Sequence, residues 1–275
     1  MVNSNGKLIA TAAASFAAGI AFRSFAWTFF SPSKSSSNLK HSLDLKRWNA
    51  RALDPNPPKA TENWVEVYDE PFHFVEMDNK FCRVIRFRFP AGERTLYHRH
   101  KVDSFFVFFS STRVRNEKQG EKPVEFDIAA GGAADACYCT EPIIHRISNI
   151  GNGWMHGLDI EIKSVDQKEY KRPCLQESDN LKIICKGKTM HGKHGIRVYR
   201  VSVAPGKSAY LSFPFKRLEM CQQGSLLSVK SSSDETEKES IPRLTGSYCW
   251  SDDTFEGTVE NRGDKDYILF VAEWH

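Results

Sequence analysis

Beyond residue 60 the chain lacks any stretch that sustains a 3.6-residue apolar period over three turns, so long amphipathic helices are excluded from its body. A C-x-x-C pair is missing too, although seven cysteines are present (Cys82, Cys137, Cys139, Cys174, Cys185, Cys221, Cys249). The odd count leaves at least one thiol unpaired. Cys185, within the apolar run LKIIC, reads as a small hydrophobe. This usage points to a reducing compartment for the folded part. The body also has no basic surplus. Residues 1–57 carry seven Lys or Arg against two acidic residues, which puts +5 of the formal net charge of +4 in the tail and leaves −1 for the rest. Phosphate binding depends on concentrated positive charge, so nucleic acid is excluded as a partner.

Acidic residues are absent from the first 43 positions, which hold nine serines. Within that tail, Leu8 to Phe30 is a 23-residue run whose one charge is Arg23. As a helix it would be about 35 Å long, enough to cross a bilayer. Its Ala/Ser/Thr content and lack of acids equally suit a cleaved transit segment. Residues 1–58 are therefore expected to form an organelle-targeting or membrane-anchoring segment. A linker follows within it, through the Ser-rich stretch 31–46 and Asp54-Pro55-Asn56-Pro57-Pro58.

What the body does contain is short strands. WVEVYDE (64–70) alternates with period two, FCRVIRFRFP (81–90) alternates apolar and basic residues, and SFFVFF (104–109) and LDIEI (158–162) follow. IRVYRVSVAPG (196–206), SLLSV (225–229) and DYILFVAEW (266–274) repeat the texture. Many short strands separated by turn signals predict an all-β sandwich or barrel. NEKQGEKP (116–123) and SSSDETEKES (231–240) read as solvated hairpin tips.

The two halves repeat. RVIRFRFPAGERTLYHRH (83–100) aligns with RVYRVSVAPGKSAYLSFP (197–214), matching Arg83, Val84, Arg86 and Gly92 to Arg197, Val198, Arg200 and Gly206. ACYC ending at Cys139 matches GSYC ending at Cys249. HRISNIGN (145–152) matches GTVENRGD (257–264), which keeps Asn149 with Asn261 and Gly151 with Gly263. Matches in one order at nearly constant offset indicate duplication of a β unit, with domains at 59–168 and 169–275. The copies differ in chemistry: His98 aligns with Ser212, His100 with Pro214 and His145 with Gly257. The second copy keeps the turns and loses every imidazole.

In the first copy, His98 and His100 at alternate positions of one strand point to the same face, and His145 follows a turn at Pro142 on a later strand. Gly92-x5-His98-x-His100 together with Pro142-x2-His145-x3-Asn149 resembles the two motifs of the cupin superfamily. The resemblance implies two tandem cupin-type, jelly-roll-like barrels, a bicupin with a degenerate second domain. It also implies one divalent transition metal on His98, His100 and His145. Iron is placed first among Fe, Zn, Mn, Ni and Cu, since imidazole alone does not select the ion. The carboxylate of the first motif would fall at Ser104, preceded by Asp103, so Asp103, Ser104 and His156 are additional candidates for ligand or pocket. Asp159 and Glu161 are further candidates for the pocket, but their alternation with Leu158 and Ile160 favours a solvated face, and His191 and His194 read as exposed. Cys137 and Cys139 read as core, with a cavity-lining thiol left open, and Trp154 and Phe105–Phe109 as cavity wall. A His-only set leaves coordination positions open, as catalytic sites do. The resemblance thus points to a metal-dependent enzyme of oxygenase, isomerase or lyase type acting on a small organic molecule. The alternative is a non-enzymatic binding or structural bicupin. Homodimerisation and membrane attachment through residues 8–30 both stay open.

Overall fold

The computed structural model describes residues 64–163, 173–186, 196–232 and 238–274. The tail expected to target or anchor the protein lies outside them, as do His191 and His194. The described residues are almost wholly β. The first half forms two five-stranded sheets. One has the order β1 (Val65–Glu66), β4 (His98–His100), β9 (Ile143–Asn149), β6 (Thr112–Lys118), β7 (Val124–Ile128). The other has the order β2 (His73–Asp78), β3 (Cys82–Phe89), β10 (Met155–Ile162), β5 (Ser104–Phe108), β8 (Ala133–Ala136).

The second half repeats the plan. One sheet has the order β11 (Leu181–Lys186), β12 (Arg197–Val203), β19 (Tyr267–Trp274), β14 (Lys216–Gln223), β17 (Tyr248–Ser251). The other has the order β13 (Ser208–Phe213), β18 (Phe255–Asn261), β15 (Leu226–Ser231), β16 (Lys238–Pro242).

The duplication survives at the level of single hydrogen bonds. Gly92 and Gly206 both turn at positive φ (83° and 67°), where a Cβ would be strained. Each donates its N–H to the carbonyl of the retained asparagine, Gly92 to Asn149 and Gly206 to Asn261, at 2.8 Å in both cases. The two buried asparagine side chains perform the same task. Asn149 donates to the Gly153 carbonyl and accepts from Thr112 and the Gly151 N–H. Asn261 donates to the carbonyls of Val203 and Lys265 and accepts from Ser225 and the Gly263 N–H. An ion pair with a buried carboxylate is duplicated as well, Arg83–Glu161 at 3.0 Å and Arg197–Glu273 at 3.3 Å.

The register corrects the alignment at the histidines. The Arg94–Ser148 bridge corresponds to the pair Ser208–Glu260, at offsets of 114 and 112. The first barrel then carries one extra residue before β4, because His98 pairs with His145 whereas Gly257, the counterpart of His145, pairs with Leu211. The residues standing where His98 and His100 stand are therefore Leu211 and Phe213, not Ser212 and Pro214. Leu211 and Phe213 are buried in the apolar interior of the second barrel with Tyr199, Val201, Phe215 and Val259. Hydrocarbon has replaced imidazole, and the barrel has closed around it.

A third apolar cluster joins the halves. Phe81, Phe105, Leu158 and Ile160 of the first barrel pack with Val198, Leu218, Met220 and Trp274 of the second. Each such side chain contributes about 1.5–3 kcal/mol when fully buried. Because the apolar face of β10 is spent on this contact, Asp159 and Glu161 point into the first barrel. They are buried, not solvated as the alternation suggested.

Replacing Asn261 with alanine removes partners from buried backbone groups of the second barrel. Unfolding by urea should show stability lowered by about 1–3 kcal/mol at unchanged m value.

Candidate metal centre

Strand β4 is only three residues long, and its alternation buries His98 and His100 on one side. Antiparallel pairing with β9 sets His145 directly opposite His98. The ring centroids of His98 and His145 are 4.7 Å apart, and each lies 5.0 Å from that of His100. One ring nitrogen from each residue falls in a group whose members are all within 4.8 Å of one another. The three imidazoles that the motif spacing brought to attention do converge.

Their outer edges are held. His98 Nδ1 donates to the Leu96 carbonyl at 2.9 Å, and His145 Nδ1 donates to Asn116 Oδ1 at 3.0 Å. His100 Nδ1 faces Asp159 Oδ2 at 3.4 Å without the alignment of a hydrogen bond. A proton fixed on Nδ1 leaves the lone pair on Nε2, the atom that can ligate. His145 Nε2 is buried without a partner. Burial, then the neighbouring imidazoles, hold His98 and His145 well below the usual histidine pKa, and burial with His73 takes His100 down to about 3. Burial pushes the Asp159 carboxyl up to about 7. Three neutral imidazoles and an orphaned ring nitrogen are a donor set that a divalent transition metal satisfies.

The triad borders a cavity of about 330 Å³. Its walls are apolar: Phe87, Phe89, Phe106, Phe108, Phe126, Val114, Ile128, Ile147 and Met155. Its polar groups are His73, Thr95, Asn116 and Tyr138, with Lys118, Glu121 and Lys122 contributed by the β6–β7 hairpin.

The other candidates fall elsewhere. The Asp103 carboxylate accepts from the Cys139 N–H, and the Ser104 hydroxyl donates to the Val102 carbonyl. Neither residue lines the cavity. His156 lies on the opposite face of β10, where its ring meets Arg86 at 3.0 Å and packs on Phe109. Trp154 is 40% exposed and holds the Arg88 guanidinium over its ring. Of the Phe105–Phe109 stretch, only Phe106 and Phe108 reach the cavity. Tyr138 lines it where a thiol was considered, and of the two cysteines read as core Cys137 is buried whereas Cys139 is exposed.

Two residues at the site, Asn116 and His73, had escaped the reading of the sequence, and a third, Asp159, had been weighed for the pocket but assigned to a solvated face. Asn116 belongs to the polar stretch taken for a hairpin tip but lies at mid-strand in β6, within reach of His145. Asp159 was hidden by its alternation. His73, a lone histidine in FHFVEM, had no motif around it.

No family model matches the chain, and no curated relative matches its sequence. Among solved structures it is similar to oxalate decarboxylase from Bacillus subtilis at 13% identity and a TM-score of 0.50, over 87% of this chain and 85% of that one. Oxalate decarboxylase from Lactobacillus farciminis, in its formate complex, aligns at 12% identity and a TM-score of 0.50 over 72% of this chain and 78% of that one. A cupin domain from Bordetella pertussis aligns at 27% identity and a TM-score of 0.31, over 34% of this chain and 92% of that one. With its duplicated double-sheet barrels and its match to two-barrel structures, the chain has a bicupin fold.

Proposed function

We propose that the first barrel holds one divalent transition metal on His98, His100 and His145 and is an enzyme for a small organic molecule with an apolar body. The observation that carries this reading is the convergence of three buried, neutral imidazoles, each with its Nδ1 edge turned to an acceptor, beside a cavity of molecular size. Bound there, such an ion would supply Lewis acidity toward an oxygen donor or, if redox-active, electrons for O2 chemistry.

The chain's own residues would do the rest. Asn116, Asp159 and the Leu96 carbonyl would fix ring orientation. The phenylalanine walls would desolvate and orient the substrate. Lys118 and Lys122 would favour a negatively polarised group near the β6–β7 hairpin.

The Bacillus subtilis neighbour contains Mn(II) centres, which agrees with a divalent ion here. Its substrate suits this cavity poorly, because a small dianion has no apolar surface to offer five phenylalanine rings. A non-enzymatic binding role has one observation on its side: Glu121 is the one carboxylate among the lining residues, so proton-transfer groups are scarce.

Elemental analysis of the purified protein should find about one transition metal per chain. The His98→Ala/His145→Ala variant should fall to background while keeping its β circular dichroism. Equal metal in both proteins would end the proposal.

Asn116→Ala should leave the fold intact and weaken metal affinity about 10–100-fold, measured by competition with a chromogenic chelator. In oxygen-uptake assays on Fe(II)-loaded protein across a panel of apolar metabolites, at least one compound should be consumed, and His100→Ala should abolish the uptake. Bound metal without turnover of any compound would favour the binding role.

A further inference from the structure

A fourth imidazole stands beside the triad, and metal binding does not require it. His73 opens β2, lines the same cavity, and has its ring centroid 4.7 Å from that of His98 and 6.5 Å from that of His100. It lies outside the set of mutually close ligand atoms, which comprises His98, His100 and His145. Its place is on the cavity wall beside the triad.

The orientation of His73 is fixed by Glu70, a buried carboxylate that follows the 3-10 turn Val67–Asp69. Glu70 Oε1 accepts from the Leu96 N–H at 3.0 Å. Its Oε2 accepts from the Phe72 N–H at 2.7 Å and lies 2.7 Å from His73 Nδ1. A carboxylate that already receives two backbone N–H groups is an acceptor, so the proton of the His73 contact belongs to Nδ1. In the neutral ring this tautomer leaves the lone pair on Nε2. It sits on the ring edge away from Glu70, in a residue that lines the cavity.

From this we infer that His73 is a specificity-determining residue of the first barrel and that its Nε2 accepts a hydrogen bond from the substrate. The substrate class that satisfies both polar features is an apolar-bodied hydroxy carbonyl compound. Its O–H would meet His73, its hydrocarbon would lie among Phe87, Phe106, Phe108 and Met155, and its carbonyl would face the ion that His98, His100 and His145 would hold. An analogue lacking the donor would leave a buried acceptor unpaired, and sites built on such a contact discriminate strongly against it. The inference rests on the metal reading above.

The test uses the full-length protein loaded with Zn(II), which is redox-inert, and two probes with the same aryl body: 2-hydroxyacetophenone and its methyl ether, 2-methoxyacetophenone. Calorimetric titration of the wild type should show the hydroxyl probe binding at least about ten-fold tighter than the ether. In His73→Phe that preference should shrink to within about three-fold. His73→Gln, whose amide oxygen is still an acceptor, should keep part of it. Zinc content, measured in every protein, should be the same throughout.

A wild type that binds both probes equally, or neither, overturns the inference while leaving the metal reading intact. So does an unchanged preference in both variants, or zinc lost from both, which would make His73 a support of the metal and not a contact of the substrate. A wild type that takes up no zinc sinks the metal reading, an outcome distinct from the others. Because the glutamine variant retains a polar side chain of similar reach, a folding failure of His73→Phe still leaves the decision to His73→Gln.

Discussion

The contact on which the rest of the structure depends is the apolar face shared by the two barrels. Each barrel commits its five-stranded sheet around β10 or β19 to the other, so those two strands are covered on both sides. A strand with one wet face sorts hydrophobic residues inward and polar residues outward. Here the outward apolar residues Leu158 and Ile160 meet the partner barrel, which turns Asp159 and Glu161 inward. That inversion places a carboxylate behind His100. It also makes the interior of the first barrel polar along one wall.

Polar groups in a closed interior are costly unless each finds a partner. The first barrel meets this demand in part, by tying ring nitrogens to Leu96, Asn116 and Glu70 and by setting Arg83 against Glu161, while His100 and Asp159 face each other without a hydrogen bond. The second barrel meets it by removing the imidazoles. Leu211 and Phe213 take the positions of His98 and His100, while the Arg197–Glu273 pair is kept, with the Tyr199 hydroxyl on Glu273. The two copies thus divide the work. One fills its interior and gives the pair a rigid face, while the other carries a buried polar cluster beside a cavity on that support.

Legibility followed the range of the interactions. Gly92, Asn149 and their copies Gly206 and Asn261 were readable because a positive-φ turn and a side chain bridging its own loop are local requirements, written in adjacent residues. The alternation His98-x-His100 was readable for the same reason. The offset at Leu211 was not, since one extra residue ahead of β4 shows only in which residues pair across strands. Asn116 was misplaced because a polar run gives no boundary between a strand end and a hairpin tip. Glu70 and His73 were invisible as a pair: three residues apart in a turn-to-strand junction, they match no motif, and their partner Leu96 is distant in sequence.

By itself the sequence determined the β class, the duplication and the asymmetry between copies, together with the three imidazoles of the first motif pair. All of these depend on local patterning and on residue identity, which are explicit in the chain. Tertiary structure alone decided which face of β10 is inside, what replaced the histidines in the second barrel, and which side chains surround the triad. Those outcomes depend on the packing of one barrel against the other and on cross-strand register, and neither quantity is a property of any single segment.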